Sequence, residues 1–357
     1  MKRLFFHTTN IRHFHESTKF LSNYFICFIT YHFIWLIIII YVYLRYEIIY
    51  LSYIRKKNEK NIPKNLRILK KSTTFALSKL NIKTYMIMEK FIYKNALKEI
   101  GVTYVGATKQ SAKMNYSYNN GTETYCIYLA PSTMSGRNVC PNSEHCKEFC
   151  LNGSGRNKSD ILLRGEKHSN INVSRIKKTD AFYKQRDLFM QTIIHEINTA
   201  MKRAEKNGME FSVRLNGTSD LSPLVFKYQG KNILEWFPNV QFYDYTKVPS
   251  RYRLLSKYKN YDLTFSFDGH NWDKCEEILN QGGKVAVIFE NEKLPTAYKG
   301  YNVIDANGYD MRYLDPKGTI MGLHYHRTAN DYKSGKYVKP VSKAIITIDD
   351  ENCMWEI

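Results

Sequence analysis

Short apolar runs recur through the second half of the chain: Phe211-Ser-Val-Arg-Leu215, Val240-Gln-Phe-Tyr243, Leu263-Thr-Phe-Ser-Phe267, Val285-Ala-Val-Ile-Phe289, Val303-Ile304 and Thr319-Ile-Met-Gly-Leu323. Each reads as a strand. Upstream, Thr124 to Ala130 has the same character and is ended by Pro131-Ser132. Helix-compatible stretches lie between several runs, such as Trp272 to Gln281 before Gly282-Gly283. The clearest helix carries Met190, Ile193, Ile194, Ile197, Met201 and Ala204 on one stripe, with Asp187 as its cap and Gly208 as its stop. Strands alternating with helices predict βα units and a mostly parallel sheet. Their spacing, about 16 to 30 residues, favours an α/β fold of the complete or partial (β/α) barrel kind over a doubly wound sheet. No GxGxxG or P-loop follows any run, which argues against dinucleotide and NTPase chemistry.

The first quarter of the chain has a different pattern. From Phe20 to Leu44 there are 25 residues without a charge, enough to cross about 30 Å of hydrocarbon as a transmembrane helix. The run is too long for a signal peptide and has no small-residue cleavage site, while Arg45, Arg55, Lys56, Lys57 and Lys60 favour a cytoplasmic C-terminal side. Composition offers a second explanation. Residues 1–85 contain no Gly and no Asp, and Phe, Ile, Lys, Asn and Tyr fill 46 of the 85 positions, as in translated AT-rich DNA. On that account the biological start is Met86 or Met88, and the protein is a cytoplasmic domain of residues 86–357. On the other, the same domain is membrane-anchored through residues 20–44.

Charge follows the same division. Residues 1–85 hold 15 Lys plus Arg against 3 Glu, a net +12; of the +20 for the whole chain, +8 is left for residues 86–357. That balance allows weak nucleic-acid association and is equally consistent with plain solubility. Lys177, Lys178, Lys184 and Arg186, interleaved with Phe182 and Tyr183, form the one aromatic-basic stretch suited to a phosphate backbone, or else a solvated helix face.

The sharpest chemical signal is Cys140-Pro-Asn-Ser-Glu-His-Cys146-Lys-Glu-Phe-Cys150, a C-x5-C-x3-C loop directly after the first strand. Soft thiolates select zinc or iron-sulfur clusters. With zinc, His145 or Cys126 would complete a four-coordinate site; with a 4Fe-4S cluster, one iron stays open for a ligand. Polar residues gather at the ends of the later runs: Arg214, Asn216, Gly217, Ser219 and Asp220; Asp244, Tyr245, Thr246 and Lys247; Asp268 and His270; Glu290; Asp305 and Asn307. In a barrel they converge on one rim, where barrel enzymes keep their sites. His324-Tyr-His326 offers two imidazoles on one face of an extended segment.

Leu129-Ala-Pro-Ser-Thr133, the three-cysteine loop, Arg156, Arg214-Leu-Asn-Gly-Thr-Ser-Asp220 and Phe242-Tyr-Asp-Tyr-Thr-Lys247 together resemble the phage family gene product eighty-eight, over about residues 125–323. The resemblance points to Cys140, Cys146, Cys150, Arg214, Asp220, Tyr245, Thr246 and Lys247 as its site; it brings no reaction with it. More distantly, the chain is similar to radical S-adenosylmethionine enzymes, which place three cysteines after the first strand of a partial barrel. Phe149 before Cys150 matches the aromatic that precedes their last cysteine, although their spacing is C-x3-C-x2-C. This implies a 4Fe-4S cluster on Cys140, Cys146 and Cys150, bound S-adenosylmethionine, an external electron donor and an unknown substrate. Arg214, Asp220, Lys247 and Asp268 would then be catalytic, with Asn216, Gly217, Tyr245, Thr246, Glu290 and Asp305 holding the cofactor. The competing expectation is a non-enzymatic, zinc-stabilised protein associated with nucleic acid.

Overall fold

The computed structural model describes residues 91–290, 293–332, 342–347 and 349–355. The apolar run 20–44 and the starts at Met86 and Met88 lie outside them. Among the described residues no helix is long and apolar enough to cross a membrane.

In chain order, helix α1 (Tyr93–Ile100) leads through β1 (Gly106–Ala107) and α2 (Ala112–Asn119) to β2 (Thr122–Ile127). After the cysteine loop come α3 (Gly155–Arg164), α4 (Asn170–Lys184) and α5 (Arg186–Lys206), then β3 (Glu210–Arg214). A small hairpin, β4 (Lys227–Tyr228) and β5 (Lys231–Asn232), precedes α6 (Ile233–Trp236), β6 (Gln241–Thr246), α7 (Leu254–Lys257), β7 (Tyr261–Ser266), α8 (Trp272–Asn280) and β8 (Lys284–Phe289). The chain closes with β9 (Ala297–Tyr298), β10 (Tyr301–Asp305), β11 (Ile320–His324), β12 (Ile345–Ile346) and β13 (Cys353–Met354).

Apart from the hairpin, the strands build one eleven-stranded sheet in the order β1-β2-β3-β6-β7-β8-β11-β10-β9-β13, with β12 also paired to β8. From β2 through β11 to β10 every pairing is parallel; the antiparallel pairs lie at the two edges. The predicted mixed α/β architecture with a mostly parallel sheet is therefore present, and all seven apolar runs lie on strands. Among the described residues the ladder has two ends, and β1 does not pair with β13, so the sheet is not a closed barrel.

The two faces of the sheet differ in chemistry because side chains alternate along a strand. Tyr125, Ile127, Val213, Phe242 and Leu263 turn outward and pack on Phe189, Ile193 and Ile197 of α5. Phe265, Val285, Val287 and Phe289 do the same against Ile278 and Leu279 of α8. Each such side chain contributes about 1.5–3 kcal/mol by leaving water. The opposite, inner face carries Thr124, Cys126, Ser212, Arg214, Tyr243, Tyr245, Thr264 and Lys284, and the Thr124 and Ser212 hydroxyls are 2.9 Å apart. Parallel strands covered on both faces are normally apolar on both.

Helix α5 shows where the sequence needed correction. Asp187 does not cap it; Gln185 occupies the cap without a side-chain bond, and Asp187 sits in the first turn, where its charge suits the helix dipole. Gly208 does end it, taking a φ of +63° that a side chain disfavours. The aromatic-basic stretch is taken apart by packing. Lys178 and Phe182 are buried, Lys178 lies 4.2 Å from the Tyr104 ring centroid, and Arg186 covers Phe182 while donating to the Val225 carbonyl.

Candidate functional site

The cysteine loop sits at the carboxyl end of β2, pinned from several sides. Val139 N donates to the Ser132 carbonyl at 3.0 Å, and Asp220 N, from the segment after β3, donates to the Val139 carbonyl at 2.8 Å. Asn142 donates to the Lys247 carbonyl at 2.7 Å, and Asn330 to the Glu148 carbonyl at 2.7 Å. His145 packs on His270, beyond β7, with ring centroids 4.0 Å apart. Elements distant in sequence therefore hold the loop, as a preorganised site requires.

Ser132 contributes an unusual piece of backbone. Its φ is +50°, a left-handed conformation that costs a residue with a Cβ about 1 kcal/mol or more. In that pose its N–H donates to Cys140 Sγ at 3.3 Å. Burial pushes the Cys140 thiol up to about 12; this N–H opposes the rise, and Cys150, Asp220 and Cys146 add to it. Burial likewise raises Cys150. The Asn152 N–H pulls it down, Cys146 pushes it up, and the Arg175 and Lys247 charges pull it down. The three thiols thus share one electrostatic environment with two cations beside it.

Those donors are soft, which suits zinc or an iron-sulfur cluster and not magnesium or calcium. As they stand, however, no three His, Cys, Asp or Glu side chains among the described residues are gathered closely enough to grip an ion. Cys126 is buried on the inner face, with Arg214 and Asp310 as its charged neighbours, and Cys275 is buried on α8 with its Sγ 3.7 Å from Asn271 Oδ1.

The predicted rim residues divide into those already engaged and those that are not. Asn216 is engaged: its Nδ2 donates to Asp244 and the Leu221 carbonyl, and its Oδ1 accepts from Ser219 and Leu221 N. Asp220 accepts from Arg251 and from Lys247 N at 2.9 Å. Gly217 is needed for close approach, since a Cβ there would lie 2.6 Å from the Tyr128 ring and 2.9 Å from the Ile127 carbonyl. Thr246 Oγ1 accepts from Val248 N, Asp268 from His270 N, and Asp305 from Asn307, each closing a local turn. Glu290 N donates to the Ile346 carbonyl. Lys247 points its charge toward the cysteine loop, acting on Cys150.

Arg214 and Tyr245 lie on the inner face instead. The Arg214 guanidinium is 4.8 Å from the Tyr245 ring centroid and donates through Nη1 to both oxygens of Asp310, at 3.1 and 3.2 Å. Tyr243 donates to Asp310 as well, at 2.9 Å. Asp310 belongs to the crossing between β10 and β11, which closes the amino-terminal end of this face. There Lys284 donates to Asp262 at 2.6 Å and to the Arg312 carbonyl at 2.5 Å, while Arg312 and Asp315 form a fully buried ion pair.

Asp310, Arg312 and Asp315, and with them Lys113 and Arg175, were not among the candidate residues that the sequence offered. Arg175 is held by Asn152 and lies 5.1 Å from the Tyr128 ring centroid. A usable signal existed in the runs themselves, whose alternate positions are polar, as in Phe-Ser-Val-Arg-Leu and Leu-Thr-Phe-Ser-Phe.

No curated protein and no solved structure matches the chain. A family model does, over residues 95–339, a span that contains the cysteine loop, both strand-end segments of the resemblance and the crossing that carries Asp310. The chain belongs to the Gene product 88 family.

Proposed function

We propose that this Gene product 88 protein is an iron-sulfur enzyme of phage origin in which Cys140, Cys146 and Cys150 hold a 4Fe-4S cluster at the mouth of a partial-barrel chamber. The observation that carries the reading is a three-cysteine loop pinned at the carboxyl end of β2, its Cys140 sulfur accepting from the Ser132 N–H, on a parallel sheet whose inner face is polar. The consecutive parallel order β2-β3-β6-β7-β8-β11 is what a partial barrel requires. Held by Cys140, Cys146 and Cys150, such a cluster would supply reductive chemistry on bound S-adenosylmethionine, with an external electron donor.

The chain's own residues have narrower tasks. The Ser132 N–H supports the Cys140 sulfur, and Arg175 and Lys247 supply positive charge beside Cys150, favouring its thiolate. Asp220, Arg251 and Asn216 fix the segment after β3 on which the loop rests. Arg214 and Tyr245 face the chamber and are suited to position a ligand.

One observation favours a second reading. His145, next to Cys146, is held against the His270 ring, and three thiolates with one imidazole make a closed zinc site. Protein prepared without oxygen decides between the two. Iron with acid-labile sulfide, lost in Cys146→Ala, is the expected result; one zinc per chain without sulfide would replace the enzyme with a zinc-stabilised binding protein.

A further inference from the structure

We propose that the cavity between the end of β7, the start of α8 and β12 binds a nucleoside 5′-monophosphate, with Trp272 taking the base and Lys299 and Lys343 the phosphate. The proposal goes beyond the cluster reading above and does not depend on it.

The cavity measures about 400 Å³ and draws its walls from separate parts of the chain: Gly269 and Trp272 from the β7–α8 junction, Tyr298 and Lys299 from the β9–β10 turn, Lys343 from the approach to β12 and Asp350 from the approach to β13. Ligands of α/β sheets sit outside the carboxyl ends of the strands, in cavities of this order of size. Gly269 closes the base. Its φ is +90°, and a Cβ there would lie 2.6 Å from Ala344 N, so the end of β7 and the approach to β12 touch through backbone.

One wall is aromatic. Phe267 and Tyr298 are buried and meet the Trp272 ring at steep angles, with centroids 5.8 and 5.4 Å away, while Trp272 itself stays partly exposed. A ring held by two neighbours and still exposed to the cavity is a platform on which a base stacks. Lys299 stands beside it, with Nζ 5.2 Å from the Trp272 centroid and 5.9 Å from that of Tyr298. Its backbone is fixed by an N–H donated to the Asn352 carbonyl at 2.9 Å.

The charges in the walls are unevenly engaged. The lysine ion pairs among the described residues belong to Lys184, Lys274 and Lys284, so the exposed ammonium groups of Lys299 and Lys343 have no carboxylate of their own. Asp350 already accepts from Asn352 N at 2.9 Å and from its Nδ2 at 2.7 Å. Asp273, in the first turn of α8, is left to accept from ribose hydroxyls. Two ammonium groups, an aromatic ring and a carboxylate acceptor answer to phosphate, base and ribose. Free phosphate would engage the lysines alone. The cavity also borders the cysteine loop: His270, in its lining, has its ring 4.0 Å from that of His145, and Ile345, also in the lining, packs with Phe149 and Cys146.

The test titrates the full chain, at its native metal content and constant ionic strength, with each common ribonucleoside 5′-monophosphate, the matching nucleosides and inorganic phosphate, followed by calorimetry. Saturable binding of at least one nucleotide is expected, tighter than that of its nucleoside and of phosphate. Lys299→Gln with Lys343→Gln should weaken it about tenfold or more, the loss of charge-assisted hydrogen bonds to the phosphate. The fold accepts the first change, because Gln229 holds the same turn position between β4 and β5 at a φ of +48°. Trp272→Leu should also weaken nucleotide binding about tenfold while leaving any response to phosphate unaltered; if this variant fails to fold, the lysine pair still decides. The proposal is overturned by folded wild-type protein that binds no nucleotide, by phosphate binding as tightly as the nucleotide, or by unchanged affinity in the lysine pair. Protein that holds its full iron and sulfide but binds no nucleotide rejects this cavity alone, and protein that binds nucleotide but takes up no iron rejects the cluster alone.

Discussion

At the scale of single residues, Asp244 shows how a strand-end carboxylate becomes structural. It is buried, and its oxygens accept from Asn216 N at 2.8 Å, Asn216 Nδ2 at 3.0 Å and Tyr261 OH at 3.4 Å. Burial pushes its carboxyl up to about 7 from an ordinary 3.8, against the pull of these hydrogen bonds and the Arg214 and Arg251 charges. The native state therefore keeps a proton that the unfolded chain has already released. Its contribution to stability is full below pH 3.8, falls as pH rises toward 7, and is flat above that. Asp244→Asn should remove this slope while costing about 1–3 kcal/mol at low pH, because an amide nitrogen cannot accept where a carboxyl oxygen did. Urea unfolding of both proteins at several pH values between 4 and 8 measures the difference, and parallel profiles would mean that Asp244 is ionised throughout. The chemistry of such residues was legible in sequence, but their partners were not. Arg214 meets Asp310 across 96 positions and Asp220 meets Arg251 across 31, and no local pattern reports either pairing. Asn216, Asp220 and Thr246 stand at strand ends, where the sequence placed them, but the bonds that engage each one there were not legible.

At the scale of elements, most of the long strands declared themselves because their runs alternate or are wholly apolar over four or more residues. The short strands β1, β4, β5, β9, β12 and β13 did not, since each is only two residues long, too short for a pattern. The entry to the sheet illustrates the dependence. Glu196 of α5 accepts from Tyr93 OH at 2.8 Å, Val105 N at 2.9 Å, Gly106 N at 2.8 Å and Tyr125 OH at 2.5 Å, so one carboxylate joins α1, β1 and β2 to the central helix. Nothing in the helical stripe distinguishes this position from an ordinary solvated acid. Glu196→Gln turns one acceptor oxygen into a donor facing donors, and should cost about 3 kcal/mol. The loss should be local first. Amide exchange should quicken over residues 93–107 well before the amides of β7 and β8 change. Uniform acceleration across the sheet would show instead that Glu196 supports the whole fold and not its entry.

At the scale of the whole molecule, residues 86–357 are expected to be the functional unit. The described core clusters lie between Ile100 and Ile346, and residues Lys90–Ile357 form one compact unit. Residues 86–357 number 272, ample for a single α/β domain with one parallel sheet. Neither the thiol set nor the inner-face cations draw a residue from before Lys113. The contrast in composition points the same way, because a segment without Gly or Asp and dominated by AT-rich codons shares nothing with the βα pattern after it. A chain beginning at Met86 should therefore be monodisperse in aqueous buffer and take up metal in the same stoichiometry as the full chain. Size-exclusion chromatography with light scattering, followed by metal and sulfide analysis of both proteins, makes the comparison. If the shorter chain aggregates while detergent-extracted full-length protein is monodisperse, the apolar run between Phe20 and Leu44 packs on the domain or holds it at a membrane. The unit would then begin well before Met86, and the start-site argument would fail with it.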